Sequence, residues 1–174
     1  MVKSFKSYMS DIPYSSIKGV DYNLPEPPAN SSKKTIMELE LLEKISRHTK
    51  PEDDILIKKY DNKTFESFIE ILDDNNLTYD IKEIKSLMGD IDTIVTEEKF
   101  KFNRPRPTKL AEKFGYELKD VYYKESVTSN TPTYPSMHST QSRFLTSYLS
   151  EMHPSYKSIF LKLSEEISFS RIRG

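Results

Sequence analysis

Tyr134-Pro135-Ser136-Met137-His138-Ser139-Thr140-Gln141, with Phe144, Leu145, Tyr148, Leu149 and Met152 after it, is the stretch on which the fold reading turns. The later residues recur at three- and four-residue spacing, the period of one helix face. The run before them, Thr128 through Pro135, is polar and loop-like. Ser136 therefore falls near an N-cap, and the backbone N–H groups of Met137 and His138 point out from a helix start. The pattern predicts a helix over about 136–152.

Working outward, the same period repeats. Tyr156, Ile159, Phe160, Leu163 and Ile167 share one face of a helix running from Pro154 to the end. Upstream, Ile81, Ile84, Leu87, Ile91 and Ile94 predict a helix over about 80–100. Phe65, Phe68, Ile69 and Leu72 predict another over 64–72, broken by 73–76. Pro51 opens a short helix, with Asp53 and Asp54 suiting the dipole of its first turn. Ser31 or Ser32 caps a helix through about His48, carrying Ile36, Leu39, Leu42 and Ile45. Pro105 and Pro107 close the 80–100 helix, and a short helix is expected over 109–114. No period-2 strand appears, so the fold class is all-α. Residues 1–31, with Pro13, Pro25, Pro27 and Pro28, read as an irregular leader. Residues 32–174 read as one helical domain.

Composition narrows the function. With 36% hydrophobic and 30% charged residues, the 174-residue chain describes a soluble domain with a solvated surface. Its net charge of −1 gives no field that marks a nucleic-acid binder. The absence of cysteine excludes disulfides, thiolate metal sites and a thiol nucleophile. No apolar run reaches the roughly 18–20 residues of a membrane span. Residues 1–10 contain Lys3 and Lys6 and lack a secretory apolar core, so the cytoplasm is the default location. A periplasmic or secreted protein whose leader had been removed would read the same way.

Three groups of residues carry chemistry. Lys99 closes the 80–100 helix, and Arg106 stands between two prolines that hold it extended. A guanidinium on a stiff backbone presents its fork to phosphate oxygens, and Lys99 adds a point charge. The competing reading is a solvated basic stretch (Lys99, Lys101, Arg104, Arg106, Lys109) at a helix end. Ser136, Met137 and His138 offer an anion site at a helix N-terminus, with His138 placed to protonate a leaving oxygen. An ordinary serine cap is the alternative there. Arg171 continues the apolar stripe of the last helix, which is costly unless an anion or a carboxylate from another helix meets it. It would otherwise reach solvent at a frayed end.

In order, Lys99 with Arg106-Pro107, Pro135-Ser136-Met137-His138, and Ser170-Arg171 resemble the three active-site motifs of the phosphatidic acid phosphatase type 2 / vanadium haloperoxidase superfamily. The resemblance covers about 99–174. The run Leu24-Pro25-Glu26-Pro27-Pro28-Ala29 is similar to the start of its soluble bacterial class A nonspecific acid phosphatases. It implies a helical bundle in which Lys99, Arg106 and Arg171 bind phosphoryl oxygens, and Ser136 and the backbone of Met137 complete the cradle. His138 would protonate the leaving alcohol. Where the family has glycine, this chain has Met137. The family's nucleophilic histidine stands six positions after its third-motif arginine, and the sequence stops at Gly174. The third motif is thus read as truncated and the domain as lacking its C-terminal end. His48 and His153 read as helix-terminal residues, not as substitutes.

The expected function is hydrolysis of small soluble phosphomonoesters through a phosphohistidine, with no metal and no cofactor. The partner is a phosphorylated small molecule or inorganic phosphate. One alternative is an inactive phosphate-binding or interaction protein of the same fold. Another is a vanadate-dependent haloperoxidase, so vanadate is implied as an inhibitor or a cofactor. No segment reads as a leaving-group pocket; Tyr122, Tyr123 and Tyr134 are the aromatic residues near the second motif.

Overall fold

The computed structural model of the chain describes residues 23–118 and 130–173. The leader reading for 1–22, the loop reading for 128–129, and the candidates Tyr122 and Tyr123 lie outside the described residues.

Ser32 caps α1 (Lys33–Arg47), its hydroxyl accepting from the Thr35 N–H at 3.2 Å. Next come α2 (Pro51–Asp74), α3 (Ile81–Phe102) and α4 (Pro107–Phe114). Then α5 (Met137–Met152), a 3₁₀ turn (Pro154–Tyr156) and α6 (Lys157–Arg173) complete the order. Among the described residues there is no strand, and the all-α class holds. No helix there is long and apolar enough to cross a membrane.

Three sequence expectations need correction. The short helix from Pro51 and the helix over 64–72 are one element, α2, bent where Lys63 adopts φ −136°, ψ 32°. The apolar face of α3 is rotated from the predicted isoleucine row. Ile84 is buried as expected, but Ile81 is exposed, Leu87, Ile91 and Ile94 are half-buried, and Met88, Val95 and Lys99 take the buried positions. The C-terminal half of α3 packs on α5 and underlies 131–134, so the face turned that way is the one that loses water. On α6, likewise, Ile159 is exposed and the covered row is Phe160, Leu163, Ser164, Ile167 and Ser170.

The core lies where α2, α3, α5 and α6 meet, with Phe68, Leu72, Ile84, Leu145, Leu149, Phe160 and Ile167 fully buried. Helices α5 and α6 form an antiparallel pair reversed by the 3₁₀ turn. Small hydroxyl residues bring their backbones close. Ser142 Oγ lies 3.2 Å from Ser164 Oγ, and Thr146 Oγ1 donates to the Phe160 carbonyl at 3.0 Å. These bonds fix the register and set the first turn of α5 beside the last turn of α6. Helix α2 packs against both. Tyr60 donates to Glu166 Oε2 at 2.9 Å, and burial, followed by that carboxylate, pushes the phenol up to about 12.

Candidate functional site

The α5–α6 register places His138 opposite Arg171, and the bend in α2 supplies Asp61 between them. Asp61 Oδ1 is 3.4 Å from Arg171 Nη1 and 3.8 Å from His138 Nε2. The Asp61 side chain is 1% exposed, and those of His138 and Arg171 are each 13% exposed. His138 Nε2 also lies 3.2 Å from the Asp61 carbonyl oxygen. A carbonyl only accepts, so this bond assigns the proton to Nε2. The α2 row Ile57, Asp61, Thr64, Phe68 follows helical spacing, so an acid sits within an otherwise core-facing stripe. Arg171 interrupts the α6 row in the same way. The carboxylate that the sequence allowed as a partner for Arg171 is thus supplied from another helix.

Lys99 and Arg106 do not form a solvated basic stretch. Lys99 is 3% exposed, and its ammonium donates to the Pro132 carbonyl at 2.7 Å. Arg106 Nε donates to the Thr131 carbonyl at 2.7 Å, and Nη2 to Thr131 Oγ1 at 3.2 Å. The Thr133 N–H reaches the Arg104 carbonyl at 3.0 Å, and Arg104 itself pairs with Glu38 at 2.7 Å. Tyr134 stands edge-on to Phe102 with ring centroids 5.1 Å apart. The two cations of the first motif therefore hold down the segment that leads into the second.

Their charges meet in one field. Burial, then the Arg106 guanidinium, lowers Lys99 to about 7. Burial lowers His138 most, then the charge of Arg171; its contacts with Asp61 pull the other way, and Lys99 lowers it further. Lys99 thus responds to Arg106 and His138 to both Lys99 and Arg171, which joins the three motifs into one electrostatic neighbourhood. An anion entering it would favour the protonated forms of Lys99 and His138.

Ser136 caps α5, accepting from the Ser139 N–H at 3.4 Å, and Met137 is the first helical residue, half-buried. Arg171 Nη1 is a buried donor with no hydrogen-bond acceptor, although it stands in the ion pair with Asp61. His48 and His153 end α1 and α5, with ring nitrogens on the Lys44 carbonyl at 2.7 Å and the Thr78 carbonyl at 2.9 Å. Among the described residues no group of three or more histidines and acids is arranged to hold a metal ion.

Sequence reasoning missed Asp61 and the carbonyls of Thr131 and Pro132. The signal for Asp61 was present: a carboxylate four residues after Ile57 and seven before Phe68 interrupts a buried row and demands a cation. For the two carbonyls there was none, since a loop gives no periodicity from which to place backbone. Set against protein-family models, curated proteins and solved structures, the chain matches none.

Proposed function

We propose that the buried cluster of Lys99, Arg106, His138 and Arg171 is an oxyanion site, and that the protein is an acid-phosphatase-like hydrolase of small soluble phosphomonoesters. The observation that carries this reading is the gathering of cations from α3 and α6 around one histidine at the start of α5, with Arg106 acting on the α3 lysine. Buried like charges repel and lower one another's proton affinity, as at Lys99. A polyvalent anion relieves that cost directly.

In this reading Arg171 and Lys99 meet the phosphoryl oxygens, and the first turn of α5 adds backbone donors. Arg106 holds Thr131 and orients the segment carrying Ser136. The resemblance assigns the attack on phosphorus to a histidine that this sequence does not supply; the phosphorus–oxygen ester bond would break with the leaving oxygen taking a proton from His138. Water then cleaves the phosphohistidine. Vanadate, as a mimic of the pentacoordinate state, would occupy the same cations as an inhibitor.

A second reading is a phosphate-binding or interaction protein of the same fold without turnover. The Asp61–Arg171 ion pair favours it, because a carboxylate already offsets the arginine. Calorimetric titration of phosphate and vanadate into the 174-residue chain, beside Arg106→Ala, tests the shared site. Binding that is lost in the variant supports it; a folded protein that binds neither anion sinks it. Hydrolysis of p-nitrophenyl phosphate by the same sample separates the two readings.

A further inference from the structure

We propose that Asp61 sets the specificity of this site: its carboxylate accepts the proton of a P–OH group, so the site takes a protonated oxyanion such as phosphate and rejects sulfate. The proposal rests on the oxyanion reading given above and deepens it. A bare cluster of arginine, lysine and histidine would hold any tetrahedral anion of suitable size. This cluster is not bare. The Asp61 side chain is 1% exposed and stands within 4 Å of both Arg171 and His138. An anion held by those two residues must face it.

The chemistry of that encounter differs between ligands. Sulfate carries no proton near neutral pH, so its oxygens would meet carboxylate oxygens with no hydrogen between them, in a place with little water to screen the repulsion. A phosphate monoanion or a singly protonated phosphomonoester carries the missing hydrogen. The monoester loses that hydrogen at a pKa of about 6, so its monoanion is populated close to neutrality, whereas inorganic phosphate keeps one P–OH even as the dianion. An O–H···O⁻ bond of that kind is short and strong. Among the groups that face Asp61 are Arg171 from α6 and His138 from α5, with Lys99 from α3 acting on the same histidine. Arg171 Nη1, lacking a hydrogen-bond acceptor, is the donor left for the ligand's other oxygens.

The test titrates inorganic phosphate, methyl phosphate and sulfate separately into the 174-residue protein at about pH 6 and about pH 9, then repeats all three with Asp61→Asn. Phosphate should bind at least about tenfold more tightly than sulfate at the lower pH, the scale on which a site built around a hydrogen bond rejects a ligand lacking it. At the higher pH inorganic phosphate, which keeps one P–OH as the dianion, should still be preferred over sulfate, whereas methyl phosphate, whose dianion has none, should lose its preference. In Asp61→Asn the amide donates as well as accepts, and sulfate affinity should rise until the preference falls to within about threefold. Equal affinity of the wild type for inorganic phosphate and sulfate overturns the proposal and leaves the oxyanion site standing. An unchanged preference in a folded Asp61→Asn variant also overturns it. Absence of binding by any of the three anions removes the site itself. The wild-type comparison decides even if the variant fails to fold.

Discussion

Asp61 Oδ1 and Arg171 Nη1 stand 3.4 Å apart, each the charged interruption of a helical row that otherwise faces the core. Helix α2 offers Ile57, Asp61, Thr64, Phe68 and Leu72; α6 offers Phe160, Ser164, Ile167 and Arg171. Neither charge is tolerable alone in those rows, and each is the reason the other is tolerated. The neighbouring Tyr60–Glu166 bond holds α2 on α6 beside the pair. What joins these helices is thus a polar contact beside an apolar interface.

Removing one member should strand the other. Asp61→Asn or Arg171→Met is expected to destabilise the protein by about 3–5 kcal/mol, the range for breaking a buried ion pair. The double variant should cost clearly less than the two singles combined. Urea unfolding of the four proteins measures this. Strict additivity would mean that the pair contributes no coupling.

Lys99 makes stability depend on pH in an unusual direction. Its folded value of about 7 lies below the ordinary lysine value of 10.5. Between those values the unfolded chain binds the proton and the folded one does not, so stability rises with pH through that window. His138, also lowered, adds a loss of stability as pH falls below its ordinary 6.5. Lys99→Met removes the first effect, and each pKa unit corresponds to about 1.4 kcal/mol. Relative to wild type, the variant should therefore be favoured most near pH 6 and progressively less toward pH 10. Denaturant midpoints across that range check it; parallel profiles would mean that Lys99 titrates normally.

The helices were readable because periodicity reports burial, and Ser32 and Ser136 marked their starts as caps. The rotation of α3 was not readable. The predicted row Ile81, Ile84, Leu87, Ile91 and Ile94 and the buried row Ile84, Met88, Val95 and Lys99 share Ile84 and then diverge, and only the neighbours of α3 choose between them. The same ambiguity hid Lys99, which looks like a helix-closing cation until the buried row is known to run through it. Arg171 was legible as a buried charge in need of a partner. Asp61 escaped because the bend at Lys63 hides the continuity of α2, so its apolar row reads as two short helices with a polar gap.

Arg106 gives a third test, of the 131–134 segment. Its two bonds to Thr131 are lost in Arg106→Ala. Hydrogen bonds to charged groups are worth about 1.5–3 kcal/mol each, so the loop should loosen well before the helical core does. Hydrogen exchange at the Thr133 amide, bonded to the Arg104 carbonyl at 3.0 Å, should accelerate strongly. Exchange at Leu145 and Leu149, fully buried in α5, should change little. Uniform acceleration at all three would show a global loss of stability instead.

Proton traffic on binding is the most direct test of the electrostatic neighbourhood. The unliganded site holds Lys99 and His138 below their ordinary values through burial and neighbouring positive charge. A bound anion reverses the sign of the local field and raises both. Phosphate binding at about pH 8 should therefore draw protons from the buffer, and affinity should rise as pH falls toward about 6. Titrations in two buffers of different ionisation enthalpy give the number taken up. The ligand's own protonation contributes equally to wild type and Lys99→Met, so their difference isolates the lysine. That difference should approach roughly one proton, because a group with a pKa near 7 is mostly neutral at pH 8 and fully charged beside an anion. An identical uptake in both proteins would place the bound anion out of reach of Lys99, and with it the shared field on which the proposed site depends.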